Sequence, residues 1–94
     1  MSNRVTLQST TFQNHPSKEE THGYRMYDDY GQSYNNLLDK KQMEDMSDAD
    51  LLHEAANSGD DVMDAMIEHA IENGMFINDE WYDGEEVQSM LNGG

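Results

Sequence analysis

Three carboxylates, Asp64, Glu68 and Glu72, recur every four residues in the segment Asp60–Asn73, with Asp60 and Asp61 just ahead of them. On a helix this step puts successive carboxylates on one face, about 6 Å apart along the axis. Duplex DNA presents its phosphates as regular negative charges at a spacing of the same few-ångström order. A rigid helix with such a row can occupy a site built for a phosphate backbone. A second acidic group, Asp79, Glu80, Asp83, Glu85 and Glu86, surrounds Trp81 and Tyr82. Aromatic rings amid charge serve as interface anchors, and burial of the Trp in a core is the competing reading.

Other chemistries find less support. Paired carboxylates act as acid and base only in a concave, dry pocket that separates their pKa values, and acids strung along solvent faces do not build one. The histidines, His15, His22, His53 and His69, match no zinc spacing, and the last two read as helix-boundary residues. A calcium loop beginning at Asp79 would place Trp81 where an oxygen ligand is required. The chain has no Cys, which removes disulfides, thiolate sites and Cys nucleophiles, and it has no phosphate-binding glycine loop. The expectation is no catalytic residue, no metal and no cofactor.

The charge is unevenly placed. The 94 residues hold 20 acids against 5 bases, a net charge of −15. Residues 1–41 contain all five bases (Arg4, Lys18, Arg25, Lys40 and Lys41) and five acids, whereas residues 42–94 contain fifteen acids and no Lys or Arg. Like charges at i,i+4 weaken a helix, and interspersed bases normally relieve this. A solvated, solubilising face would explain acids in general, but the missing counter-charge favours a surface selected for its field. Such a chain is repelled by nucleic acid and anionic membranes, so the expected partner is basic. No apolar run approaches the ~20 residues of a membrane span, and the start lacks a signal peptide's apolar stretch. A cytoplasmic protein is expected.

The elements that must position these acids read as mainly α-helical. The sequence divides into a polar N-terminal arm, 1–23, and an acidic helical domain, 24–94. The arm is rich in Ser, Thr, Gln and Asn; residues 4–12 alternate weakly, Asn14–Gly23 reads as loop, and its removal should leave the helices intact. A short N-terminal strand, making the fold α+β, is the alternative. Tyr24, Tyr27, Tyr30 and Tyr34 recur at helical spacing, interrupted by Gly31. Ser33 caps a helix holding Leu37, Leu38 and Met43, ending near Asp45. Ser47 caps a second, with Asp48 and Asp50 in its first turn, Leu51, Leu52, Ala55 and Ala56 inside, and Gly59 as its stop. In Asp60–Asn73 the residues Val62, Met63, Met66, Ile67, Ala70 and Ile71 form one buried stripe, ended by Gly74. Met75–Ile77 either pairs as a strand or plugs the core. Asp83 or Gly84 opens a last helix through Val87, Met90 and Leu91.

The stretches Tyr34-Asn35-Asn36-Leu37-Leu38-Asp39, Asp50-Leu51-Leu52-His53-Glu54-Ala55 and Glu72-Asn73-Gly74, leading to the acids around Trp81, resemble the Ocr family of phage proteins. Members block type I restriction enzymes by mimicking DNA. The likeness covers about fifty of the 94 residues, with gaps. It implies a homodimer of helical subunits with Asp48, Asp50, Glu54, Asp60, Asp61, Asp64, Glu68 and Glu72 in the phosphate role. The chain departs from that pattern in its polar N-terminal segment and in lacking an extended acidic tail. The expected function is inhibition of a basic, DNA-binding host protein of the restriction, CRISPR, recombination, nucleoid or transcription machinery, with no direct contact to nucleic acid or membrane. The alternative is an antitoxin-like or modulating module that docks through Trp81, tyrosines and seven internal methionines (Met26, Met43, Met46, Met63, Met66, Met75 and Met90). Steep weakening by salt would distinguish the first from the second.

Overall fold

A computed structural model describes residues 4–13 and 20–93. The fold is α+β, not mainly α. Strands β1 (Val5–Gln13), β2 (Glu20–Asp28) and β3 (Ser33–Leu38) are followed by helices α1 (Lys40–Glu44), α2 (Asp48–Ala56) and α3 (Asp61–Asn73). The hairpin β4 (Met75–Ile77) and β5 (Glu80–Tyr82) then leads into α4 (Gly84–Gly93). The strands form one mixed sheet in the order β3-β2-β1-β4-β5, with β1 and β4 parallel and all other neighbours antiparallel.

The expected polar arm is thus the middle of the sheet. Val5 and Leu7 pair with Asp28 and Met26 on one side and with Met75 and Ile77 on the other. Both are fully buried. The alternation of residues 4–12 is weak because only one face of β1 meets the core; the other presents Thr6, Gln8 and Thr10, which suit a solvated sheet face. The segment expected as loop contributes Glu20–Gly23 to β2, and residues 14–19 lie outside the described residues. The division after residue 23 falls inside β2.

The tyrosine stripe is likewise not helical. Tyr24 and Tyr27 lie on opposite faces of β2, Tyr30 is exposed in the turn, and Tyr34 lies on β3 opposite Met26. The intervening turn is closed by the Asp28 carboxylate, which accepts from the N–H groups of Tyr30 and Gln32 (both 3.0 Å), while Gly31 takes φ +89°. Ser33 therefore starts a strand rather than capping a helix, and Leu37 and Leu38 point to opposite sides of the sheet. The short helix α1 begins only after Asp39.

The later helices follow the sequence pattern closely. Ser47 accepts from Asp50 N–H as the N-cap of α2, and Asp60 accepts from Val62 and Met63 N–H as the N-cap of α3. Their inner residues, Leu51, Leu52, Ala55, Met63, Met66, Ile67 and Ala70, pack on one face of the sheet with Tyr24, Met26, Met75, Ile77 and Val87. Ala56 and Ile71 are only partly buried, and Val62 is 40% exposed at the edge of its stripe. Helix α2 ends at Asn57, two residues before Gly59. The other face of the sheet is covered by no element among the described residues.

Gly74 is where the α3–β4 connection is tightest. Its φ of 92° and ψ of 169° lie in a region nearly restricted to glycine. A Cβ there would also run into the Trp81 ring and stand 2.8 Å from the Tyr82 carbonyl oxygen. Gly74→Ala should therefore cost roughly 3 kcal/mol or more, combining backbone strain with displacement of β5. In a domain of this size that lowers Tm by about 15 °C, measurable by thermal circular dichroism.

Candidate functional site

The thirteen candidate carboxylates divide according to what they touch. Asp48, in the first turn of α2, joins three elements: its Oδ1 accepts from Asn78 Nδ2 at 2.9 Å and its Oδ2 from the Tyr82 hydroxyl at 2.8 Å. Asn78 in turn accepts through Oδ1 from both the backbone N–H and the hydroxyl of Ser9, at 2.8 and 2.9 Å. The network fastens the β4–β5 turn to β1 and α2. Glu80 Oε2 lies 3.0 Å from the same Tyr82 hydroxyl. Hydrogen bonding to Asp48, then burial and the Glu80 carboxylate, hold the Tyr82 phenol well above its ordinary range.

Asp50, Asp60 and Asp83 are helix-terminus residues. Asp50 completes the capping box of α2; Asp60 caps α3 through Oδ1 at 2.9 and 3.1 Å; Asp83 accepts from Glu86 N–H at 2.9 Å where α4 begins. Glu54 is half-buried, and its backbone carbonyl accepts from Tyr24 Oη at 3.4 Å. Burial pushes the Tyr24 phenol up. These residues were expected as phosphate mimics, but the structure gives Asp48, Asp50, Asp60 and Asp83 folding roles. Such roles do not bar their outward oxygens from a partner.

The remaining acids stand clear. Asp61, Asp64, Glu68 and Glu72 line the exposed side of α3, opposite the buried Met63, Met66, Ile67 and Ala70. From Asp61 to Glu72 the row runs roughly 16 Å along the axis. Glu85 and Glu86 extend it, because Gly84 packs directly on the Ile71 carbonyl and starts α4 beside the C-terminal end of α3. A side chain at residue 84 would collide with that carbonyl, which is why glycine opens α4. Asp79 is exposed in the two-residue β4–β5 turn, where Asn78 and Asp79 take φ 49° and 70°. Those left-handed values suit Asn and Asp and match the twist of a tight hairpin.

The two interface aromatics part company. Tyr82 faces the helices and belongs to the Asp48 network, whereas Trp81, 47% exposed, lies on the open face of the sheet. There it meets Phe76 edge-on, with centroids 5.1 Å apart at 67°, and the Arg4 guanidinium stands 5.8 Å from the Phe76 ring centre. Trp81 is therefore not an anchor set within the α3 acids. Of the seven internal methionines, Met26, Met63, Met66 and Met75 are buried, and Met43, Met46 and Met90 are partly buried against the core. The two central histidines are tied to helices as well. His53 donates through Nε2 to the Met90 carbonyl at 2.9 Å, joining α2 to α4, and His69 lies in the last turns of α3 near Asn73.

Sequence reasoning missed Asn78 and Arg4. An Asn-Asp pair between Met75-Phe76-Ile77 and Glu80-Trp81-Tyr82 is a hairpin signal that identifies the first. A cleft of about 400 Å³ beside α2 is lined by Gln42, Met46, Asp50, His53 and Glu54, but it opens widely to solvent and encloses no dry site. Among the described residues no group of three or more acids and histidines could hold a metal ion, and no helix is long and apolar enough to cross a membrane.

Asp48→Ala offers a direct measure of the network. It leaves the Asn78 amide without this acceptor and the Tyr82 hydroxyl with Glu80 alone, so the expected loss is about 1–2 kcal/mol in urea unfolding. The Tyr82 phenol should fall toward its ordinary pKa, read by its ultraviolet absorbance at alkaline pH. No protein-family model matches this chain, and no curated protein or solved structure does so either.

Proposed function

We propose that this protein is a non-enzymatic inhibitor whose α3 carboxylates stand in for DNA phosphates at the DNA-binding site of a basic host protein. The observation that carries the reading is the exposed row Asp61, Asp64, Glu68 and Glu72, prolonged by Glu85 and Glu86, in a 53-residue stretch without Lys or Arg. A row held on a helix whose other side is buried is pre-organised, so little ordering entropy is lost on binding. Desolvated contacts from carboxylates to Arg and Lys are the strong kind of hydrogen bond. Among the described residues these side chains cap no helix, while neighbours such as Asp60 and Asp83 do.

The target belongs to the DNA-handling machinery of a bacterial cytoplasm, with restriction, CRISPR, recombination, nucleoid and transcription proteins as the candidates. The test is capture of a target from bacterial lysate on tagged protein at low salt, followed by release at high salt and competition with duplex DNA. Mutual exclusion of DNA and inhibitor is the expected result. A stable ternary complex, with DNA still in its usual site, would overturn the reading.

A further inference from the structure

The open face of the sheet differs in composition from the rest of the molecule. The chain holds 20 acids, yet among the described residues no strand turns an Asp or Glu to this side. Asp29 and Asp79 stand only in the flanking turns. The face carries two bases, Arg4 and Arg25, and three rings, the partly exposed Tyr27 and Phe76 and the exposed Trp81. The rings share one line across the sheet: Tyr27 pairs with Thr6, Thr6 with Phe76, and Phe76 with Trp81. At about 4.8 Å per strand, Tyr27 and Trp81 stand roughly 14 Å apart. Arg4 and Arg25 each precede a member of this line by two residues, on antiparallel chain segments, so they flank it on opposite sides. Neither guanidinium makes an ion pair among the described residues; Arg4 lies over the Phe76 ring, and Arg25 has no polar partner. In a chain of net charge −15, two cations left without acids point to an anion from outside.

We propose that this face binds single-stranded nucleic acid, with bases stacking on Trp81 and Tyr27 and phosphates meeting Arg4 and Arg25. Rings and cations together select this occupant. Unpaired bases offer flat faces to aromatic side chains, and the phosphates that link them supply the negative charge. A sheet that displays a few rings can hold two or three splayed bases, a run that fits the line from Tyr27 to Trp81. A duplex hides its ring faces within its own stack. An acidic peptide matches the arginines but not the rings, and a basic protein is repelled by the arginines. At the Tyr27 end a groove of about 440 Å³ lies between Arg25, Tyr27, Ser33 and Asn35, where the Ser33 hydroxyl and Asn35 amide can bond the edge of a base. Asp28 and Gly31 close this groove, and the Asp28 carboxylate is engaged by the N–H groups of its turn.

Net charge alone argues against a polyanion, but the two sides of the molecule present different fields. Helix α3 turns its buried residues to the sheet, so its exposed acids lie more than a helix diameter, about 10 Å, from the open face. At physiological salt that exceeds the Debye length of about 8 Å. A strand on the open face therefore meets the two arginines with most of the repulsion from α3 screened.

Trp81 is the chain's single tryptophan, so its fluorescence reports on this face alone. The probes are a short oligothymidine, an oligouridine of the same length, a matching DNA duplex and an oligoglutamate peptide, each titrated at physiological salt. One or both single strands should quench Trp81, the tighter of the two identifying DNA or RNA as the source. Tyr27→Leu and Arg25→Gln, neither in the core, should each weaken binding about tenfold with an unchanged melting curve, read by the anisotropy of labelled oligonucleotide. No quenching by either strand at the highest soluble concentration overturns the proposal. Equal quenching by the duplex overturns it too, because paired bases have no free ring face, and equal quenching by the peptide assigns the face to an acidic protein instead. Undiminished binding by both variants would place the strand elsewhere and likewise overturn it. The assay contains no target protein, so its outcome is independent of what the acidic face binds.

Discussion

A chain that begins at Tyr24 is expected not to fold. Removing residues 1–23 takes away β1, which separates β2 from β4 in the sheet and pairs with both. The hairpin β4–β5 would lose its attachment to the β2–β3 pair, and Val5 and Leu7 would leave the core they fill completely. Burial of those two side chains alone is worth about 3–6 kcal/mol. That already rivals the roughly 5–15 kcal/mol that stabilises a typical domain, before the lost ladder hydrogen bonds and the newly exposed Met26 and Met75 are considered. Circular dichroism of the truncated chain should show no cooperative thermal transition, and its amide protons should exchange without protection. The milder variant Leu7→Ala should remain folded but lose about 2–5 kcal/mol, read by urea unfolding. A cooperative melt retained after truncation would mean that α2, α3 and α4 form a core of their own, as the arm-and-helix reading of the sequence requires.

How much was legible in the sequence follows from where each segment's information lies. Helices α2 and α3 were readable because caps, inner stripe and stop all lie within the segment: Ser47 and Asp60 accept the first N–H groups, and the apolar residues recur at helical spacing. The sheet was not readable in the same way. Only one side of β1 meets the helices, so two apolar residues, Val5 and Leu7, carry its whole core contribution, and apart from Phe12 the rest of the strand is Thr, Ser and Gln. Its β-branched content was a strand signal, but low hydrophobicity outweighed it. The tyrosines failed for another reason. A spacing of three, three and four mimics a helix only when the chain runs straight through, and the turn at Asp28–Gln32 reverses it, putting Tyr24 inside and Tyr30 in solvent. The acids were legible as a group but not one by one. A capping Asp and a free Asp look alike in sequence, and only the hydrogen bonds of Asp48, Asp60 and Asp83 separate them from Asp61 and Asp64.

That separation makes the α3 row testable by the opposite signs it gives to stability and binding. In the triple variant Asp64→Asn, Glu68→Gln, Glu72→Gln, all three side chains are exposed, so the changes alter charge with little loss of packing. Two like-charge i,i+4 contacts disappear, each worth about 0.2–0.5 kcal/mol. Neutralising Glu72 also removes an anion from the C-terminal end of α3, where the helix dipole disfavours it, while neutralising Asp64 gives up a favourable place near the N-terminus. These two effects roughly cancel, and the net expectation is a slight gain in urea midpoint. Binding should move the other way. If each carboxylate meets an Arg or Lys of the target, three charge-assisted contacts at about 1 kcal/mol or more apiece disappear, a weakening of roughly hundredfold or greater. A general loss of negative field is controlled by Glu44→Gln with Asp45→Asn, exposed acids at the end of α1. That control should cost only a few-fold at physiological salt, where charges farther off than a Debye length of about 8 Å are largely screened. Asp60→Ala gives the reverse pattern of the triple variant, losing about 1 kcal/mol of stability with its cap. Equal weakening by the α1 control and the α3 variant would reduce the row to a diffuse field. Unchanged affinity of the triple variant at low salt would remove α3 from the contact altogether.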